Sequence, residues 1–224
     1  MPRKNIVKNY SENSYYHIYN RGVDKREIFL EPKDCIMFQH FLKIYLSDPQ
    51  ILLSHINDIS PQLVFKLKNR NLYNEVKLIS LSLMPNHFHF QLKQITSDGI
   101  QKLMKRVIPS YVQFFNWKYK RIGPLFESIY KAVNIETDEQ NLYLSSYIHR
   151  NAMKLVSPKF DFIQFSSYPY YLSEKHADWI NTEEVLSFFK TIKGENDPLS
   201  YQSFVENFRE DPEGMLGDLT LEKE

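Results

Sequence analysis

Over His87-Phe88-His89-Phe90-Gln91-Leu92 polar and apolar residues alternate strictly. Strand side chains repeat with period two, so this run predicts a strand with His87, His89 and Gln91 on one face and Phe88, Phe90 and Leu92 toward the core. The apolar-rich run Val76 to Leu83 precedes it across Met84-Pro85-Asn86, and the pair predicts a β-hairpin. Tyr15 to Arg21 predicts an earlier strand, ended by the turn-forming Asn20-Arg21-Gly22. Behind Pro32, residues Phe38, Phe41, Leu42 and Tyr45 recur at helical spacing and predict a helix over Lys33 to Leu46. Residues 47–74 contain Pro49, Pro61 and four asparagines and look like an insertion between core elements. Ile100, Leu103, Met104, Val107, Ile108, Tyr111 and Phe115 mark a long amphipathic helix with a kink at Pro109, its opposite face carrying Lys102, Arg106, Gln113 and Lys120. Phe126 to Ile135 predicts a further strand, and Asp138 to Met153 a helix with Thr137 as its N-cap.

The succession β-α-β-β-α-β-α implies an α+β fold, a ferredoxin-like βαββαβ antiparallel sheet with an added C-terminal helix. Two helices cover one face of such a sheet and leave the other available for chemistry. From Pro158 onward Pro, Ser, Tyr and Phe dominate, and the acidic end resembles a mobile tail with one or two short helices near Thr182 to Lys193.

Composition narrows the class. A 42% hydrophobic and 25% charged chain of 224 residues is globular. Cys35 is the only cysteine, which excludes an intrachain disulfide and a cysteine-built zinc site and fits a reducing compartment. The longest stretch free of acidic and basic residues, Leu78 to Leu92, is too short to span a bilayer, and no apolar signal core follows Met1 to Asn5; a cytoplasmic protein with no membrane partner is expected. The net charge of +1 hides an asymmetry. Residues 194–224 hold nine acidic residues against Arg209 and Lys223, a net of −7, so residues 1–193 carry +8. Such a domain attracts a polyanion.

Two imidazoles at i and i+2 on one strand face can chelate a metal ion, although hydrogen-bonded surface histidines share the pattern. In the helix Asn141 to Met153, Leu144, Ile148, Ala152 and Leu155 form the buried stripe. Tyr147 and Asn151 fall on its edge, where a phenol can attack an electrophile and an amide oxygen one turn later can complete a metal site. Tyr143 is nearly as well placed, and most of the fifteen tyrosines are packing residues.

Three ordered segments make the combination specific: Tyr16-His17-Ile18-Tyr19-Asn20-Arg21-Gly22, Leu83-Met84-Pro85-Asn86-His87-Phe88-His89 and Tyr147-Ile148-His149-Arg150-Asn151. Together with Gly123-Pro124-Leu125-Phe126 and Ser166-Ser167-Tyr168 they resemble the single-tyrosine HUH transposases, in the branch of the REP-associated tyrosine transposases. The resemblance covers residues 1–172, an HUH domain with the insertion near 47–74, and leaves 173–224 as an acidic extension. It implies an HUH endonuclease fold in which the added helix is catalytic. It further implies His87, His89 and Asn151 as ligands of a divalent Mg²⁺ or Mn²⁺, Tyr147 as the nucleophile forming a 5′-phosphotyrosine, and hairpin-forming single-stranded DNA as the partner of a monomer or homodimer. Arg3, Lys4, Arg21, Lys102, Arg106 and Lys120 are the candidate phosphate contacts. The chain departs from its relatives at Ile129, where they often carry Arg, and at Asn151-Ala152-Met153, where they often carry Asn-Pro-Val. Two rival classes remain: a non-cleaving DNA hairpin-binding regulator derived from a transposase, and a metallohydrolase using His87 and His89 with a carboxylate and water.

Overall fold

A computed structural model describes residues 9–54, 60–155, 160–190 and 197–207. Alternation along Ser14–Arg21 (β1) sends Tyr16 and Ile18 to one side of the sheet and His17, Tyr19 and Arg21 to the other. His87–Gln94 (β3) pairs antiparallel with β1 in the register His17↔Gln91, Tyr19↔His89 and Arg21↔His87. On the other side of β1, Lys131–Ile135 (β4) pairs Lys131 with Tyr19 and Val133 with His17. Val76–Met84 (β2) completes the hairpin with β3, placing Ser82 opposite His89 and Ser80 opposite Gln91. The strand order β2-β3-β1-β4, antiparallel throughout, is the ferredoxin-like order that the sequence predicts.

Pro32–Leu46 (α1) and Gly99–Lys118 (α4) cover the apolar face. Phe38, Leu42, Leu103, Val107 and Tyr111 are sealed from solvent there against Ile18, Phe88, Phe90 and Leu92. Each such side chain contributes about 1.5–3 kcal/mol of burial, so this layer is the main reason that the sheet adopts its register. Two short helices, Pro49–Ser54 (α2) and Pro61–Arg70 (α3), occupy the insertion between α1 and β2. The kink expected at Pro109 is not a break: α4 runs through it as one helix, and the Ser110 hydroxyl donates to the Arg106 carbonyl at 2.7 Å in the turn that the missing proline N–H weakens.

Two expectations are corrected, on the start of β4 and on the chain after residue 172. The strand expected from Phe126 starts only at Lys131, because the Asn20 side-chain amide takes the Ser128 carbonyl at 3.0 Å and draws that segment off the ladder, leaving a single bridge from Phe126 to Gly22. The second sheet face, which α1 and α4 leave free, takes the added helix, as expected: Asp138–Lys154 (α5), capped by the Thr137 hydroxyl accepting from the Gln140 N–H, lies across it. The chain after residue 172 is not a free tail over its described part. Following Tyr168–Tyr171 (α6), the helices Glu183–Leu186 (α7) and Pro198–Asn207 (α8) build a second core in which Tyr171, Val185, Tyr201 and Val205 are wholly buried. The backbone on either side of α6 also covers the edge of β2, Ser167 and Asn181 donating to the Leu81 and Leu78 carbonyls. Residues 191–196 and 208–224 lie outside the described residues, and with them the end of the expected 182–193 helical segment and most of the acidic charge.

Candidate active site

His87, His89 and Gln91 share the α5 face of the sheet, as their alternation predicts. Gln91 is structural: it accepts from the Ser80 hydroxyl at 2.6 Å and donates to both oxygens of Asn141, which pins the first turn of α5 to the sheet. The two histidines are held differently. The Nδ1 of His87 lies 2.6 Å from Asn86 Oδ1, an oxygen that can only accept, so Nδ1 carries the hydrogen and the neutral ring presents its lone pair on Nε2. Asn86 is itself oriented by donating to the Lys25 carbonyl, and its own carbonyl accepts from the Gly22 N–H at 2.8 Å. Gly22 is required by the close approach of the Arg26 backbone, whose carbonyl oxygen would stand 2.3 Å from a Cβ at that position.

Burial, and then the neighbouring Arg21 charge, push the pKa of His87 down to about 4. Burial first, then His87, His17 and Arg21, push that of His89 well below the ordinary range. Both rings are therefore neutral at physiological pH, the form that ligates metals. Their centroids are 4.9 Å apart with planes at 88°. Two imidazoles bound cis to one ion, with metal–nitrogen bonds of about 2.1 Å, have centroids roughly 4.5–5 Å apart, so the pair fits a shared ion. A second observation agrees: His89 Nε2 and the Oγ of Ser82, which pairs with His89 across the hairpin, are buried polar atoms with no hydrogen-bond partner among the described residues. No third His, Cys, Asp or Glu joins the pair within the described residues. A third protein ligand would thus have to be an amide or a hydroxyl, which is the chemistry Asn151 offers.

Tyr147 meets this site directly. Its ring stands edge-on to His89 at 5.6 Å and to His17 at 6.4 Å. Tyr143, one turn earlier, packs instead on Phe204 of α8 at 5.8 Å, so the structure distinguishes the two tyrosines that helical periodicity leaves level. The edge position expected for Tyr147 is corrected. The residue is only 3% exposed, because α5 crosses the sheet face and presses the ring onto His17 and His89, in a cluster with Ile135, Leu144 and Ile148. Asn151, a turn further on, is half-buried. On the other flank of α5, His149 is fully buried between Tyr201 Oη at 2.7 Å and Ser167 Oγ at 2.6 Å, and burial pushes its pKa down to about 3.

Of the basic candidates among the described residues, Arg21 alone borders the histidine pair; its Nε is buried with no hydrogen-bond partner among those residues. Lys102 and Arg106 belong to α4, across the sheet. Lys102 is paired with Glu75 and Asp98, and Arg106 donates to the Arg70 carbonyl beside the Tyr45 ring. Lys120 follows α4, exposed and in a left-handed conformation. Arg3 and Lys4 lie outside the described residues. The residue that sequence reasoning passes over is His17, fully buried with Nε2 2.9 Å from His89 Nδ1 and its ring stacked on that of His89. Its parity with Arg21 on β1 was a signal, but nothing local says that β1 lies beside β3.

No protein-family model matches the chain, and no curated protein does. Among solved structures, that of a REP-associated tyrosine transposase bound to a REP hairpin is similar, with a TM-score of 0.47 and 12% identity over 80% of this chain and 92% of that one. None of the described helices is long and apolar enough to cross a membrane.

Proposed function

We propose that the protein cleaves and rejoins single-stranded DNA by transesterification, with Tyr147 as the nucleophile. The observation that carries this reading is the meeting of one tyrosine ring with the imidazole pair, Tyr147 standing 5.6 Å from His89 and His89 4.9 Å from His87. The motif resemblance supports the same residues. A divalent cation, Mg²⁺ or Mn²⁺, held by His87, His89 and Asn151 would polarise the scissile phosphate. In the step the Tyr147 Oη–P bond forms as the P–O3′ bond breaks. The phenolic proton is given up, the leaving 3′ oxygen takes one up, and a 5′-phosphotyrosine and a free 3′-hydroxyl result. One phosphodiester replaces another, so strand rejoining by the 3′-hydroxyl needs no ATP. Arg21 stands beside His87 as the phosphate contact, and the net +8 of residues 1–193 attracts the strand.

A phosphate cannot reach Tyr147 at 3% exposure without rotation of that side chain or a shift of α5. This burial favours the second reading, a hairpin-binding regulator that no longer cuts. The metallohydrolase reading lacks a carboxylate beside the histidines among the described residues. Incubation with end-labelled hairpin-bearing single strands, followed by denaturing electrophoresis, separates the first two. The native protein and Tyr143→Phe form a covalent adduct with the 5′ end of the fragment downstream of the cut, while Tyr147→Phe binds and forms none. Binding without any adduct from the native protein would leave the regulator.

A further inference from the structure

His89 can serve as a ligand only if the lone pair of its Nε2 is free, and a neutral imidazole has one nitrogen bearing hydrogen and one bearing a lone pair. Asn86 settles this for His87, as described above. For His89 the corresponding partner is another imidazole, His17, which can donate or accept. One hydrogen lies between His17 Nε2 and His89 Nδ1. If His17 supplied it, the hydrogen of neutral His89 would sit on Nε2, a fully buried atom with no acceptor among the described residues. That leaves a buried N–H unmet and removes the ligand lone pair. If His89 supplies it, Nδ1–H donates to His17 Nε2, and Nε2 of His89 keeps its lone pair on the face shared with His87.

We infer that His17 is a positioning residue that holds His89 in the tautomer whose Nε2 is open to a metal ion. The inference rests on the metal-dependent reading proposed above. His17 is suited to this because it is immobile. It is wholly buried, its ring lies 16° from parallel with that of His89 at 5.1 Å, and Tyr19 packs on it at 4.9 Å. It also touches Tyr147, so one side chain aligns the ligand histidine and backs the tyrosine ring.

Long-range ¹H–¹⁵N correlation spectra of the metal-free protein read the His89 tautomer directly, and titration with Mn²⁺ alone, without DNA, reads the ligand set. The native protein shows His89 with hydrogen on Nδ1. His17→Gln, whose amide oxygen can accept from Nδ1–H, keeps that tautomer and near-native Mn²⁺ affinity. His17→Phe, similar in shape but unable to accept, moves the hydrogen to Nε2 and weakens Mn²⁺ binding about 10- to 100-fold, the usual effect of losing such a partner. Hydrogen on Nε2 in the native protein, or undiminished Mn²⁺ affinity in His17→Phe, overturns the inference while leaving Tyr147-dependent adducts untouched. If His17→Phe fails to fold, the native tautomer and the His17→Gln titration decide alone. A native protein that binds no Mn²⁺ overturns the metal site itself.

Discussion

Tyr201→Phe tests whether the C-terminal segment is part of the domain that carries Tyr147. The substitution deletes one oxygen and keeps the ring, so packing in the second core is preserved. What it removes is the centre of a closed network. Ser167 Oγ–H donates to His149 Nε2, His149 Nδ1–H donates to Tyr201 Oη at 2.7 Å, and Tyr201 donates to Ser145 Oγ at 3.1 Å. With Phe at 201, the Nδ1–H of a fully buried imidazole has no acceptor. Leaving such a donor unmet costs about 1–3 kcal/mol, and the lost bond to Ser145 adds roughly 0.5–1.5 kcal/mol less what Ser145 keeps through its bond to the Leu142 carbonyl. A loss of about 2 kcal/mol is expected, a fall in Tm of roughly 4–8 °C for a chain of this size. Urea titration followed by circular dichroism measures it as a lower midpoint at unchanged slope. Tyr168→Phe is the matched control: its ring is buried too, but its hydroxyl meets the exposed carboxylate of Glu206, where water replaces the lost partner, and less than about 1 kcal/mol should go. If Tyr201→Phe proves no more destabilising than Tyr168→Phe, the network does not hold α8 to α5, and the segment is the appendage that its composition suggests.

The remaining predictions concern pH, the tail and DNA. The pKa of His149 is lowered in the folded state, so at neutral pH the ring is uncharged folded or unfolded; below about 6.5 the unfolded chain takes up the proton first, and stability should fall by up to about 1.4 kcal/mol per pH unit toward pH 3. Replacing His149 with Gln should flatten that limb of a pH series of urea midpoints, and an unchanged slope would assign the acid sensitivity to other groups. Ending the chain at Asn207 removes six acidic residues against Arg209 and Lys223, and should leave the melting temperature unchanged and single-strand affinity unchanged or tighter. Ending it at Lys193 also removes Tyr201 and Val205 and should lower the melting temperature; equal melting of the two truncations would contradict the second core. Arg21→Ala should reduce the slope of log affinity against log salt by about 1, whereas Lys102→Ala, already engaged by Glu75 and Asp98, should leave it unchanged; the reverse result would move the DNA to the α4 side of the sheet.

Much of the fold was legible because strand and helix periods are local. Two-residue alternation puts His87, His89 and Gln91 on one face of β3 whatever surrounds them, and the three- and four-residue repeat from Ile100 to Phe115 makes α4 in any context. The Tyr147-to-Asn151 spacing was visible for the same reason. Periodicity does not say which elements touch. That β1 lies between β3 and β4 follows from burying the apolar face under α1 and α4, and only this brings His17 against His89. Helical geometry places Tyr147 beside the buried stripe; its burial comes from the sheet below α5, from His17, His89 and Ile135, contacts far apart in sequence. Composition describes the chain after residue 172 correctly as polar and acidic. Yet Tyr171, Val185, Tyr201 and Val205 are too widely spaced to register as a pattern, and they form a core only where the sheet and α5 supply its other walls.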